Sequence, residues 1–328
     1  MNYRKLGKTG MMVSEVSLGT WQIGGRWGSD FDDRTADETL NQAIDQGINF
    51  FDTADGYGNG RSEKAVARVV KSRPEKVYIA TKCGRRLNPH TAAGYNRENI
   101  RRFVHDSLTN MGLETLDLIQ LHCPPTEVYA RADVFAALAE LKREGKILHY
   151  GVSVEKVEEA LMAIEYDGLS TVQIIFNMFR QKPADAFFAA AEAKDVGVIV
   201  RVPLASGLLT GKFSRDSVFA KEDHRFFNRN GELFDKGETF AGVNYERGLQ
   251  AVEELKALFG GTGLLPQLAL RWILMFDAVS CVIPGASHFS QITANTGASL
   301  LPPLTPEQMN AVRQIYEKYI REDVEPLW

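Results

Sequence analysis

Cysteine is scarce in this chain: Cys83, Cys123 and Cys281 are the only three in 328 residues. An odd, widely spaced set builds neither a disulfide framework nor a cysteine-rich zinc site, and it fits a reducing compartment. Charge of one sign is also missing. The net charge is −4, so no basic field points to nucleic acid or an anionic membrane as partner. No apolar run approaches the ~18 residues of a membrane helix. Met1-Asn2-Tyr3-Arg4-Lys5 lacks the apolar stretch of a secretory leader. No His-x-His pair or carboxylate cluster closes a strand-like run, which argues against a metal-dependent hydrolase. Nor does a low-complexity linker divide the chain. The expectation is a cytoplasmic protein of one domain, residues 1–328, without metal, nucleic-acid or membrane partners.

What the chain does have is alternation. Strand-like runs at 13–18, 48–52, 77–82, 116–122, 147–152, 172–176, 197–202 and 278–283 are each followed by helical pattern. Helices are predicted over 62–70, 96–111, 154–164, 184–194 and 289–297, with another capped by Asp133. Eight such units in a chain of this length predict an α/β fold, a closed (β/α)8 TIM barrel with a parallel sheet and an N-terminal strand or hairpin segment. A doubly wound sheet usually carries G-x-G-x-x-G after its first strand, and none stands there. Gly56-Tyr57-Gly58 reads as a tight turn. Residues 213–243 form a long aperiodic insertion after the seventh strand, a functional lid or a disordered segment. An extra helix, 306–319, and a tail ending in Trp328 follow, the tail with frayed order as its default.

Parallel strands of one sheet end at one rim, so residues at their C-terminal tips converge. Asp52, Lys82 and His122 close the second, third and fourth runs, and Tyr57 lies just beyond the second. An acid, a base, a phenol and an imidazole at one rim make a catalytic constellation. Each also has a plainer reading. Asp52 and Lys82 can be a buried salt bridge between strands, Tyr57 a loop aromatic, and His122 the end of a strand before Pro124-Pro125.

The stretch Phe51-Asp52-Thr53-Ala54-Asp55-Gly56-Tyr57-Gly58, ending in Ser62-Glu63, resembles the first signature of the aldo-keto reductases. Lys82 and His122 fall where that family has its lysine and histidine. Further matches are Gly151-Val152-Ser153, Gln173, the stretch from Pro203 through Lys212, and Ile283-Pro284-Gly285-Ala286. They run in family order along almost the whole chain. Similarity extends to the branch that contains potassium-channel beta subunits.

Carbonyl reduction needs a hydride donor at carbon and a proton donor at oxygen. A phenol of pKa ~10 is a weak acid, and an adjacent lysine cation can shift it by roughly 1–3 units. Tyr57 is thus the expected general acid, Lys82 its electrostatic partner, Asp52 the anchor of the ammonium, and His122 the group that orients the carbonyl oxygen. No side chain donates hydride, so a nicotinamide cofactor is required.

The resemblance implies NADPH, with NADH admitted. It places Ser153 and Gln173 at the carboxamide, although Ser153 also suits a helix cap and Gln173 a bond to a neighbouring strand. Arg201 stands where relatives stack an aromatic on the nicotinamide; the alternative is a surface ion pair. Around it, Pro203, Leu204, Ser206, Gly207, Leu208, Thr210 and Lys212 would meet the pyrophosphate. Gly285, Ser287, His288, Gln291 and Asn295 would hold the adenosine end. Gly19, Thr20 and Trp21 line the cofactor and substrate side, with Trp21, Tyr57 and His122 shaping the pocket for a small carbonyl substrate. A homo-oligomer is admitted. Two rival functions stay open: a nucleotide-binding regulatory subunit with weak reductase activity, and a Schiff-base lyase in which Lys82 attacks a carbonyl.

Overall fold

The computed structural model describes residues 1–23, 32–261 and 263–328. Strands β1 (Tyr3–Lys5) and β2 (Met12–Ser14) form an antiparallel hairpin. This corrects the expected first barrel strand over 13–18. Ser17 Oγ donates to the Ser14 carbonyl at 2.7 Å and turns the chain, so one apolar run divides between β2 and the short barrel strand β3 (Leu18–Gly19). Leu6, Met11 and Val13 of the hairpin pack with Phe50, Leu118, Ile199 and Cys281 of the barrel. Each such side chain contributes about 1.5–3 kcal/mol by leaving water. Gly7 makes the approach feasible: at φ +48°, a Cβ there would fall 2.2 Å from the Gly197 nitrogen.

From β3 the chain alternates as read: α1 (Asp33–Asp45), β4 (Phe50–Asp52), α2 (Arg61–Ser72), β5 (Tyr78–Cys83), α3 (Arg97–Met111), β6 (Leu116–His122), α4 (Ala132–Arg143) and β7 (Ile147–Ser153). Then come α5 (Val157–Ala163), β8 (Thr171–Ile175), α6 (Lys182–Ala186), α7 (Phe188–Ala193) and β9 (Gly197–Arg201). The last part holds α8 (His224–Phe227), α9 (Tyr245–Leu258), α10 (Leu265–Ile273), β10 (Val279–Val282), α11 (Phe289–Gly297), α12 (Pro306–Tyr319) and α13 (Arg321–Val324). Strands β3 to β10 pair in chain order, all parallel. Parallel bridges Val16–Val282 and Gly19–Gly285 join the two ends of that sheet. The result is the (β/α)8 TIM barrel. Among the described residues no helix is long and apolar enough to cross a membrane.

Helix α3 shows how local signals set an element. Asn96 Oδ1 accepts from the Asn99 amide at 3.0 Å, Ile100, Phe103, Val104, Leu108 and Met111 face inward, and Gly112 at φ +58° ends it. Three other helix readings need correction. Asp133 is not the cap of α4; it sits in the first turn, where its carboxylate ion-pairs with Arg131. Helix α5 begins at Val157 rather than 154, because the Glu159 carboxylate accepts from the Glu155 and Lys156 amides at 2.9 and 3.1 Å. Ser153 therefore stays in β7 and caps nothing. The predicted helix 184–194 is divided at Phe187, a fully buried residue between α6 and α7.

The 213–243 segment is held by hydrogen bonds rather than by periodic burial, and it is not disordered. Asn228 Oδ1 accepts from the Leu233 and Phe234 amides at 2.8 and 2.9 Å. Asp235 Oδ1 accepts from Gly237 N at 2.7 Å and from Trp328 Nε1 at 2.9 Å. Trp328, expected to fray, is only 5% exposed and lies 3.9 Å from the Arg180 guanidinium. The C-terminal residue thus pins the segment against the barrel.

Candidate active site

Strands β4, β5 and β6 are neighbours, with Asp52 opposite Ala80 and Lys82 opposite Gln120. Their register brings Asp52, Lys82 and His122 to one rim, at the C-terminal ends of the strands. Tyr57 arrives through the turn after β4, where its amide donates to the Ala54 carbonyl at 3.1 Å. Beneath that turn the Ser62 hydroxyl lies 2.8 Å from those of both Thr20 and Thr53 and fixes its shape.

Lys82 is 1% exposed and spends its three N–H groups on three acceptors. They are the Asp52 carboxylate, the Thr53 carbonyl at 2.9 Å and the Tyr57 hydroxyl at 3.3 Å. Asp52 Oδ1 also accepts from Gln173 Nε2 at 2.7 Å and Gln120 Nε2 at 3.3 Å. A buried ion pair is stable only when such extra hydrogen bonds complete it. The plain salt bridge is therefore present, but its third contact, to a phenol at the rim, goes beyond strand-to-strand pairing. His122 faces Tyr57 edge-on, ring centres 5.9 Å apart, and its buried Nδ1 has no partner.

Electrostatics refine the roles. Burial pushes the Tyr57 phenol above its ordinary value, and Lys82 pulls it back only in part. The expected net drop is thus reversed: Tyr57 keeps its proton through neutral pH, and Lys82 favours the phenolate left after donation. Burial works against the Lys82 ammonium, yet Asp52 and then Tyr57 more than offset it, so the cation is held firmly. For His122, burial first, then Arg85 and Lys82, drive the imidazole well down, so it is neutral.

Asp55, between Asp52 and Tyr57 in the chain, is raised to about 7 from 3.8, chiefly by burial and then by Glu63. Its Oδ1 has no partner. A carboxyl raised on folding favours the native state most below its unfolded pKa, and that contribution is lost as pH climbs from about 4 to about 7. Asp55→Asn should therefore gain stability over the parent, the gain being roughly 2–3 kcal/mol larger at about pH 8 than at about pH 5. Urea unfolding at both pH values measures it. A difference that does not change with pH would contradict this burial effect.

The cofactor positions expected from the sequence lie around the same mouth, several of them occupied by the chain's own groups. Gln173 Nε2 is committed to Asp52. Ser153 is buried at the end of β7, its hydroxyl accepting from Cys123 Sγ at 3.4 Å. Arg201 is a buried rather than a surface ion pair: it is 9% exposed, pairs with Glu155 at 2.7 Å and donates to the Val154 carbonyl at 2.9 Å. Thr20 Oγ1 is within 3.0 Å of the Asp52 carbonyl, next to Gly19 at the β3–β4 register. Trp21 packs edge-on against His224, ring centres 5.2 Å apart.

Pro203 and Leu204 lead into a 3-10 turn, Ala205–Thr210, in which Ser206 and Gly207 have positive φ and Leu208 is buried. Ser206 Oγ donates to the Glu238 carbonyl, Thr210 Oγ1 donates to the Gly207 carbonyl and accepts from the Lys212 amide. Past Gly285, Gln291 Oε1 accepts from the Ser287 and His288 amides at 2.7 and 3.2 Å, and Asn295 is buried further along α11.

Sequence reasoning missed three residues at this mouth: Arg85, Glu155 and Glu238. Arg85 Nη1 donates to Glu238 Oε1 at 2.7 Å and lies 3.8 Å from Glu155 Oε1, while Arg201 Nη1 is 3.4 Å from Glu238 Oε1. Arg85 and Glu155 follow strand tips by two residues and were readable on that ground. Glu238 lies in the aperiodic segment and carried no signal.

The aldo/keto reductase family's sequence profile matches residues 15–317. The chain belongs to the aldo/keto reductase family. An NADH-specific methylglyoxal reductase of Escherichia coli is 30% identical over 315 residues, covering 89% of this chain and 92% of that protein. A probable voltage-gated potassium channel subunit beta of Arabidopsis thaliana is 29% identical, covering 97% of each. The solved structure of a glycerol dehydrogenase from Gluconobacter oxydans superposes with a TM-score of 0.81 at 30% identity, covering 100% of this chain and 98% of that one. As a member of this family the chain is an oxidoreductase, with a small molecule as substrate and a nicotinamide cofactor.

Proposed function

We propose that this reductase converts aldehydes or ketones to alcohols, with Tyr57 as general acid and Asp52, Lys82 and His122 in the supporting roles described. The observation that carries the reading is the Lys82 ammonium bonded at once to a buried carboxylate and to the Tyr57 hydroxyl. Tyr57 protonates the oxygen of the reduced carbonyl, and Lys82 stabilises the phenolate it leaves. Neutral His122 donates a hydrogen bond to that oxygen and fixes its orientation. A bound nicotinamide dinucleotide supplies the hydride.

The mouth suits such a cofactor in that Arg201 Nε and His122 Nδ1 are buried polar atoms without a partner. Ser153, Gln173, Arg201, the turn from Ser206 to Lys212, and the Ser287–Asn295 stretch would hold the dinucleotide. NADPH is the proposed donor, with NADH as second choice. The amides of Ser287 and His288 at the start of α11 would meet a 2′-phosphate in place of Gln291. Lys82 as a Schiff-base nucleophile is disfavoured, because a free amine is needed and this ammonium has three acceptors and a raised pKa.

The test is a steady-state screen of short, aromatic, sugar-derived and lipid-derived aldehydes with both reduced dinucleotides. Turnover with at least one aldehyde, and tighter binding of NADPH than NADH, is the expected outcome. Tight nucleotide binding with no turnover of any carbonyl would overturn it in favour of a regulatory role.

A further inference from the structure

One carboxylate at the mouth comes from the lid rather than from the barrel. Glu238 ends a short turn, Lys236–Glu238, inside the 213–243 segment. Its Oε1 accepts from Arg85 Nη1 at 2.7 Å and lies 3.4 Å from Arg201 Nη1. Arg85 stands three residues after Lys82 on the loop leaving β5. Arg201 ends β9. The Glu238 charge acts on both Tyr57 and His122, so this carboxylate sits within electrostatic reach of the reacting groups. Its backbone is fixed separately, by the Ser206 hydroxyl donating to the Glu238 carbonyl at 3.0 Å. The main-chain anchor of Glu238 and its side-chain pairing to Arg85 are therefore separate contacts.

Cys123, Glu155 and Glu238 place ligand-type atoms within 4.8 Å of one another. Arg201 beside that cluster is already paired with Glu155 at 2.7 Å, whereas Arg85 has Glu238 as its nearest carboxylate, at 2.7 Å against 3.8 Å for Glu155. The planar fork of a guanidinium recognises a carboxylate in two-point fashion.

We propose that Arg85 forms a subsite for a carboxylate on the substrate, and that Glu238 fills this subsite when no substrate is bound. The substrate class is then a short aldehyde or ketone acid, its carbonyl at Tyr57 and His122 and its carboxylate at Arg85. This deepens the reductase reading and rests on it for turnover, though not for binding. Glu238 rotates out as the substrate carboxylate enters, so the Arg85 guanidinium keeps an anionic partner throughout and the desolvation cost is not incurred twice.

Two measurements test this. In the first, succinate is titrated calorimetrically into the wild type, Arg85→Met and Glu238→Gln. Succinate binds the wild type, binding weakens by about 10-fold or more in Arg85→Met, and it tightens in Glu238→Gln, which removes the internal competitor. In the second, kcat/KM is compared for succinic semialdehyde and its uncharged methyl ester with the better dinucleotide. The acid is preferred by the wild type, and Arg85→Met collapses that preference by about 30-fold, mainly through KM.

No succinate binding, or an equal loss for acid and ester, overturns the subsite while leaving the reductase reading intact. Arg85→Met weakening dinucleotide binding instead of succinate binding also overturns it, assigning the guanidinium to a cofactor phosphate. Succinate binding through Arg85 with no turnover of any aldehyde supports the subsite and removes the reductase reading.

Discussion

Tyr57→Phe should lower kcat for aldehyde reduction by about 10²–10⁴-fold, the range a positioned general acid supplies. The ring survives the substitution, and with it the edge-on contact to His122. Only one hydrogen bond is removed, the 3.3 Å contact to Lys82, and an isolated hydrogen bond contributes about 1 kcal/mol. Folding and dinucleotide affinity should consequently change little, within about threefold for affinity. Rapid-quench or steady-state turnover, paired with fluorescence titration of the dinucleotide, separates the two. Near-normal turnover would show that another group donates the proton.

Lys82→Met has the second large effect, and it falls on stability as well as rate. Asp52 is 2% exposed, and without the ammonium its charge keeps only the Gln173 and Gln120 amides. Removing one partner of a buried pair costs about 3–5 kcal/mol, while replacing both with neutral groups costs far less. Lys82→Met alone should lose about that much in urea unfolding, and the double variant Asp52→Asn with Lys82→Met should recover most of it. Neither variant should reduce aldehydes. A double variant as unstable as the single one would mean that packing of the lysine stem, rather than the charge pair, holds this part of the rim.

The barrel was legible because its strands are buried on both faces and read as continuous apolar runs, and α3 and α12 have side-chain N-caps in Asn96 and Thr305. The first strand was not, since a serine pair splits one apolar stretch between hairpin and barrel. Helix starts at Ala132 and Val157 were obscured by acidic residues that serve the first turn instead of preceding it. Among the site residues, Asp52, Lys82 and His122 followed from strand-tip placement and Tyr57 from the turn just beyond one, weighed together with the family-like spacing, and the structure brings the four together. Gln173 and Arg201 lie at the mouth, and their partners, Asp52 on β4 and Glu155 in the loop after β7, come from other elements and depend on register. Glu238 was invisible because a loop stabilised by Asn228, Asp235 and the terminal Trp328 leaves no hydrophobic period. Tyr57 taught a separate lesson: spacing gives the neighbouring cation but not the depth of burial, and burial sets the sign of the shift.

The most direct measurement follows the label. Reduced dinucleotide carrying deuterium at the transferable position is incubated with the protein and a reducible aldehyde, and the product is analysed by mass spectrometry. One deuterium on the new carbinol carbon for each dinucleotide oxidised is what this arrangement of phenol, ammonium and carboxylate predicts. Alcohol without label, or dinucleotide oxidised with no alcohol formed, would contradict it.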